Sequence, residues 1–334
     1  MRAWWVGEPG PIASMPLEWG ERPDPAPGPG ELLVGVHVCG VCRTDLHLAE
    51  GDLKPRQPNV IPGHEVVGTV LEVGDGCTRF RPGDRVGVAW LGKSCGTCRY
   101  CFRGDENLCI SPTFTGWDQD GGYAERLTVA EDFAYAIPAV FTDEQAAPLL
   151  CSGIIGYHAL QRAAVPDGGR LGIYGFGGSA HLTAQIARHQ GASVYVMTRS
   201  EAARALAREL GAIFVGGPYD TPPDALDSAI LFAPVGDLVP PALQALDRGG
   251  TLAVAGIHLS DIPALNYQRD LFNERRLLSV TANTRKDGEQ FLALAATIPL
   301  EPTTTIYPFE AADQALADLD GDRVTGSAVL DMSR

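Results

Sequence analysis

The segment RLGIYGFGGSA, residues 170–180, constrains this chain more than any other: a short apolar run ends in a glycine cluster and opens into a helical pattern from Ala180 to Gln190. ASVYVMT follows, then an alanine-rich helical stretch from Glu201 to Leu210. Apolar runs recur at Ser228–Ala233, Gly250–Ala255 and Leu277–Ala282, with a further helix near Pro240–Leu246. Strand, helix, strand, helix at this spacing closes as a parallel sheet with right-handed crossovers. A doubly wound α/β domain is therefore expected over 151–282.

The residues before it follow another rule. From Glu31 the pattern ELLVGVHVCGVC, then Val66 to Val73 and Arg85 to Ala89, give short β-branched runs separated by glycine and proline turns. They imply a mostly β unit over 1–150. The stretch 283–334 is too short for an independent domain and is expected to return to that unit, closing with a strand from Ser327 to Asp331. A chain of 334 residues fits this division, at roughly 150 residues per domain. Its 26 Lys and Arg against 41 Asp and Glu leave a net charge of −15, which argues against nucleic acid or an anionic membrane as partner. MRAWWVGEPGPIASM has no apolar run of roughly 7–15 residues behind a basic flank, and no stretch approaches about 18 consecutive apolar residues. The expected address is the cytoplasm.

Seven of the eight cysteines fall at 39, 42, 95, 98, 101, 109 and 151. Cys95-x2-Cys98-x2-Cys101-x7-Cys109 packs four thiols into one loop among Lys93, Arg99, Arg103 and Asp105, with little apolar surface to bury them. In a reducing compartment such spacing points to tetrahedral zinc before disulfides. A shell closed by four sulfurs has no position for substrate, so this zinc is structural.

Cys42, His64 and Cys151 are far apart, in VCGVCRTDLH, PGHEVVG and APLLCSGIIGYHAL. Each is weak alone, since a lone cysteine is commonly a small core hydrophobe and a lone histidine a satisfied polar group. Together they have the composition of a catalytic zinc shell, three protein ligands and an open position. Cys42-Arg-Thr44-Asp45-Leu-His47, Gly63-His64-Glu65-x2-Gly68-x5-Gly74, the four-cysteine loop, Cys151 and the glycine cluster occur in the order and approximate spacing of the zinc-dependent medium-chain alcohol dehydrogenases, which the whole chain resembles.

The resemblance implies a Rossmann coenzyme domain and a mostly β, GroES-like catalytic domain. It makes Cys42, His64 and Cys151 the catalytic zinc ligands, with the open position taken by an alcohol. Thr44 and His47 become the two protein members of a proton relay. Asp45 orients the histidine ligand, and Glu65 is the acidic neighbour of the metal. Read without the resemblance, Thr44 is equally a turn hydroxyl, His47 a solvated helix residue and Asp45 a helix cap. Cys39 and Cys77 read as core packing.

Gly175, Gly177 and Gly178, with Ala180 in place of a third glycine, stand between strand and helix as a dinucleotide fingerprint requires. The second strand ends at Thr198-Arg199-Ser200, where an NAD site calls for a carboxylate on the ribose diol. Here a cation and two hydroxyls replace it, so NADP(H) is favoured. If Arg199 lies in solvent or stacks on adenine, NAD(H) stays usable, and Glu201 is near enough to blur the choice. By resemblance Ala255, Gly256, Ile257 and the backbone of Thr281 to Asn283 border the nicotinamide. Where many relatives carry a diphosphate-binding arginine, this chain has Gly326-Ser327, which implies either fewer diphosphate contacts or Arg285 or Arg323 as a substitute.

Trp90 matches the family position lining the alcohol pocket, and Trp117 lies in a loop expected nearby; both are equally core tryptophans on composition alone. Neither has Arg or Lys beside it in sequence, which points to small or medium primary alcohols and their aldehydes, aliphatic or benzylic. The alternatives are a polyol or secondary-alcohol dehydrogenase, and a non-catalytic nucleotide-binding sensor, which has no need of Thr44 and His47 together. A homodimer or homotetramer is implied by the family.

Overall fold

Along Glu31–Val41 the apolar side chains fill nearly every position, as they do in a strand covered on both faces. In a computed structural model that describes all of residues 1–334, this strand is the spine of a seven-stranded sheet. The sheet runs Thr304–Pro308, Ser327–Asp331, Glu31–Val41, Val66–Val73, Arg85–Val88, Ala134–Ala136, and Arg126–Ala130 also pairs with the spine. All neighbours are antiparallel except the first two. Beneath it Leu32, Val34, Val66, Leu46, Leu48, Tyr123 and Phe309 form one apolar core. At about 1.5–3 kcal/mol for each large apolar side chain fully buried, this core is the main stabilising term for the unit.

This first unit comprises Met1–Cys151, Ala282–Ala296 and Glu301–Arg334; the second comprises Ser152–Thr281 and Thr297–Leu300. The second holds a six-stranded sheet, all parallel, in the order Phe214–Gly216, Ser193–Met197, Arg170–Tyr174, Leu226–Leu231, Leu246–Val254, Arg276–Ser279. Numbered along the chain that is 3-2-1-4-5-6, the Rossmann order. The short edge strand Phe214–Gly216 has too few residues to show a period. The last strand ends at Ser279, short of the expected Ala282, because the chain there crosses to the first unit. Helices Arg285–Ala295 and Ala312–Asp320 also lie in the stretch read only as a return. No helix is long and apolar enough to cross a membrane.

Candidate active site

The four-cysteine loop runs between the paired strands Leu91–Lys93 and Thr113–Phe114. Its four sulfurs lie within 4.8 Å of one another. Cys98 Sγ is 3.5 Å and Cys95 Sγ 3.9 Å from Cys101 Sγ. A zinc tetrahedron with sulfurs about 2.3 Å from the metal has edges of about 3.8 Å, while a disulfide needs about 2.05 Å. The spacing fits a shared ion and excludes bonded pairs. Cys95 N–H and Ser111 N–H donate to Cys109 Sγ at 3.2 and 3.4 Å. A backbone hydrogen bond with Thr97 and one with the Cys109 thiol hold Cys95 down, to about 6, whereas burial pushes Cys109 up to about 11.

The second donor set is assembled from three distant segments. Cys42 caps the helix Arg43–Glu50, His64 and Glu65 precede the strand Val66–Val73, and Cys151 ends a short 3-10 turn at Ala147–Leu150. Cys42, His64, Glu65 and Cys151 each offer a ligand atom, all within 4.8 Å of one another. Cys42 Sγ is 3.2 Å from His64 Nε2, a few tenths inside the roughly 3.5 Å edge of a zinc tetrahedron with one sulfur and one nitrogen. His64 and Glu65 are buried, and neither Glu65 oxygen has a hydrogen-bond partner. An orphaned carboxylate beside two thiols and an imidazole is a costly arrangement unless a cation is shared. The donor set therefore fits a zinc ion.

Charges in this pocket are strongly interdependent. Burial pushes the Cys42 thiol up, but a hydrogen bond with Cys151 and the charge of His64 outweigh it and leave it well below the ordinary thiol. His64 moves the other way: burial lowers it, and the Cys42 thiolate and Asp45 carboxylate raise it well above the usual imidazole. Burial and the Cys42 charge push Glu65 well above the carboxylate range.

Asp45 ties the ligand segments together. Its carboxylate accepts from Cys42 N–H at 2.9 Å and Gly63 N–H at 3.0 Å, and Oδ1 is 3.3 Å from His64 Nδ1. One carboxylate thus caps the helix and approaches the His64 ring. Gly63 has φ +97°, and a Cβ there meets Tyr123 at 2.5 Å, so only glycine lets the segment turn into the site. Thr44 N–H donates to Cys42 Sγ at 3.3 Å. One helical turn on, His47 Nδ1 is 3.1 Å from Asp52 Oδ2. Gly51, at φ +90°, ends the helix and bends the chain so that Asp52 returns to the ring.

Trp90 packs edge-on against His64, with centroids 4.9 Å apart, and stacks on Phe114 and Trp117 at 4.8 and 5.9 Å. Arg56 lies 3.7 Å over the Trp117 ring and bonds Asp118 at 2.7 Å. The two expected tryptophans come together, and Phe114 joins them.

In the second unit Gly175 follows the strand Arg170–Tyr174 at φ +84°, where a Cβ meets Ala233 N at 2.8 Å. Gly177 caps the helix Gly178–His189, and a Cβ there meets nothing within 4 Å. Packing demands the first glycine; the second leaves room at a helix N-terminus, which suits a phosphate group. Ala180 is buried against the sheet. Thr198, Arg199 and Ser200 follow the strand Ser193–Met197, and Ala255, Gly256 and Ile257 follow Leu246–Val254, so both groups stand with the glycine turn at carboxyl ends of one sheet. Ser200 Oγ caps the helix Glu201–Glu209, and Glu201 is held by Arg204 and Arg208 on that helix. Asn283 belongs to the first unit and is buried.

Residues 28–139 match the family model of the alcohol dehydrogenase GroES-like domain, and residues 178–297 that of the zinc-binding dehydrogenases. Over 335 aligned residues the chain is 58% identical to the "Probable alcohol dehydrogenase AdhA" of Mycobacterium tuberculosis, covering 99% of this chain and 97% of that one. The chain belongs to the zinc-dependent medium-chain alcohol dehydrogenase family. It is an enzyme of that family, acting on small molecules. Among solved structures it is similar to a cinnamyl alcohol dehydrogenase from Sorghum bicolor, 28% identical, with a TM-score of 0.90 and 100% and 98% of the two chains covered. The CAD of Helicobacter pylori, complexed with NADP(H), is 25% identical, with a TM-score of 0.88 and 100% and 99% covered.

One expectation of this family pattern requires correction. Neither Arg285 nor Arg323 stands ready for a diphosphate: Arg285 clasps Glu106, and Arg323 Nε bonds Asp318 at 2.8 Å. Gly326 has its own packing reason, since a Cβ meets Thr303 O at 2.1 Å and its φ is +75°. Cys39 is buried in the core as expected, while Cys77 is only partly covered, its Sγ 3.4 Å from Glu31 O. Sequence reasoning passed over Asp52, Phe114 and Glu106. For Asp52 the signal was present, a glycine stop directly after the His47 helix followed by a carboxylate.

Proposed function

We propose that this enzyme oxidises primary alcohols, aliphatic or benzylic, and reduces their aldehydes, with NADP(H) as preferred coenzyme and NAD(H) usable. The observation that carries the reading is the set Cys42, His64, Glu65 and Cys151, gathered within 4.8 Å, in which the buried Glu65 carboxyl has no hydrogen-bond partner. Cys42, His64 and Cys151 hold a catalytic zinc, Glu65 stands beside it, and Cys95, Cys98, Cys101 and Cys109 hold a structural one. When bound, the catalytic zinc supplies Lewis acidity that lowers the pKa of a hydroxyl by several units.

The chain's own residues do the rest. Asp45 fixes the Cys42 and Gly63–His64 backbones and faces His64 Nδ1, which leaves Nε2 for the metal. Thr44 accepts the proton at its hydroxyl oxygen as its own hydroxyl proton passes on, and His47 takes up a proton at its ring and hands it to solvent. The Asp52 carboxylate at Nδ1 selects the tautomer with Nε2 as the receiving atom. The stacked rings of Trp90 and Phe114 give an apolar wall for the carbon skeleton, and Trp117 extends it with Arg56 over one of its faces.

Gly175, Gly177, Gly178 and Ala180 form the diphosphate turn, Ala255, Gly256, Ile257 and Asn283 border the nicotinamide, and Thr198, Arg199 and Ser200 receive the 2′-phosphate. NADP(H) preference is supported by the lack of a carboxylate at 198–200, by Arg204, whose Nε is 2.9 Å from Thr198 O, and by the engagement of Glu201 with Arg204 and Arg208. The test is loss of nicotinamide absorbance with a benzylic aldehyde and the zinc-loaded protein, NADPH beside NADH. Faster turnover with NADPH is expected. Arg199→Asp is expected to move the ratio of specificity constants towards NADH by about ten- to a hundredfold, the worth of one charge-assisted hydrogen bond. An unchanged ratio removes the assignment of Arg199, and faster turnover of a ketone than of the matching aldehyde moves the substrate to secondary alcohols.

A further inference from the structure

Glu106 is a buried carboxylate in the four-cysteine loop, three residues before Cys109 and outside both donor sets. Its partner is 179 positions away. Arg285 Nε donates to Glu106 Oε1 at 2.8 Å, Arg285 Nη2 bonds the same oxygen, and the Arg285 backbone N–H donates to Oε2 at 3.1 Å. The Arg285 guanidinium also lies 4.7 Å over the Phe133 ring.

Arg285 is the first residue of the helix Arg285–Ala295, so Glu106 accepts from an N-terminal helix amide that has no intrahelical partner and faces the positive end of the dipole. Thr284 caps the helix through a reciprocal pair with Asp287, and Gly288 lies so close to Tyr135 that an added Cβ would meet the ring at 2.4 Å. Immediately upstream the chain has crossed from the second unit at Thr281/Ala282. Ala282 holds φ +47°, and the buried Asn283 Nδ2 donates to Thr284 O at 3.1 Å. A non-glycine residue in the left-handed region is strained and persists where the surroundings fix it.

We propose that Glu106 is a positioning residue for the coenzyme: by clasping the head of the helix Arg285–Ala295 it fixes the backbone of Ala282–Thr284, so that the four-cysteine loop acts on coenzyme affinity. This rests on the reading that Asn283 borders the nicotinamide. The loop thereby does more than fold itself. A charge pair held on three atoms at a helix start is stiff, and a backbone that must meet a ligand in one conformation gains affinity from being held there beforehand.

The test uses the full-length, zinc-loaded protein and two readouts, amide hydrogen exchange over 282–290 and the dissociation constant of NADPH by nicotinamide fluorescence. Glu106→Ala is expected to speed exchange at Asn283–Gly288 and to weaken NADPH binding about tenfold, with the alcohol KM unchanged and both zinc ions retained. Glu106→Gln, which keeps an acceptor for the backbone N–H, is expected to fall between Glu106→Ala and the wild type. Arg285→Ala combined with Glu106→Ala is expected to weaken binding no further than either alone. Unchanged NADPH affinity in Glu106→Ala overturns the proposal, whatever happens to melting temperature or exchange. Loss of the loop zinc in Glu106→Gln also overturns it, because the loop itself is then what fails. A wild-type protein that binds neither NADPH nor NADH overturns the functional reading and this one together; a wild type that binds beside a Glu106→Ala that binds equally well sinks this one alone.

Discussion

The two cysteine-bearing centres of the first unit are built on opposite plans. One takes its four sulfurs from 15 consecutive residues, Cys95 to Cys109, between two paired strands. The other draws Cys42, His64, Glu65 and Cys151 from a span of 110 residues and places them next to the buried Asp45 carboxylate. Bringing four side chains of a short loop together costs little closure entropy, so the metal itself can organise the loop. A dispersed site cannot be organised that way. It has to be held by a finished fold, and Asp45 shows how, with one carboxylate on two backbone segments and a histidine. The local centre is therefore expected to govern stability and the dispersed one chemistry.

Breaking the dispersed centre gives the largest effect. Cys42→Ser and His64→Ala are each expected to lower turnover by on the order of a thousandfold, the scale lost when stabilisation of a developing oxyanion is removed. The fold should survive, since the core beneath the sheet is untouched; steady-state assays beside thermal unfolding check both halves. Retained turnover in either variant removes that residue from the site.

Breaking the local centre should do the reverse. Cys98→Ser is expected to cost the equivalent of one zinc ion and several kcal/mol of stability, because a structural site contributes its binding free energy to folding. Turnover per folded molecule should stay within about threefold, as expected of a closed shell with no substrate position. Metal analysis and unfolding curves read this out, and an unchanged zinc content contradicts the assignment.

A third assembly, built around a single carboxylate, sharpens the contrast at smaller scale. The Glu131 carboxylate accepts from the backbone N–H groups of Thr78, Arg79 and Phe80 at 2.7–3.0 Å, closing a turn some 50 residues away in sequence. Burial works to raise Glu131, but these three donors outweigh it and hold it below the ordinary carboxylate. A lowered native value means that the contribution is fully present above the unfolded value of about 4.3 and is lost as pH falls through the native one. Glu131→Gln is expected to destabilise by about 1.5–3 kcal/mol at neutral pH and less in acid. Denaturant unfolding at several pH values tests it; a cost that stays constant into acid would falsify the charged-acceptor reading.

Much of this was legible in the residues. The glycine cluster between a strand and a helix announced the parallel sheet, because only glycine accepts φ +84° at Gly175 with Ala233 so close. The loop cysteines announced themselves by spacing. What spacing could not reach were partners distant in sequence: Asp52 on His47 needed the bend at Gly51, and Glu106 on Arg285 spans most of the chain. The same blindness made Arg285 and Arg323 look available, since a sequence shows a charge and not the carboxylate that has already engaged it.

The sequence by itself determined which elements form, where the glycines must stand, and that the four sulfurs of one centre lie within a single loop, because periodicity, backbone sterics and short-range closure all act between near neighbours. Only the tertiary structure decided that Cys42, His64, Glu65 and Cys151 share a point in space and that Glu65 is left there without a partner. Their meeting depends on strand register and on the packing of Tyr123 and Gly63 beneath them, and register and packing are settled between segments far apart in the chain.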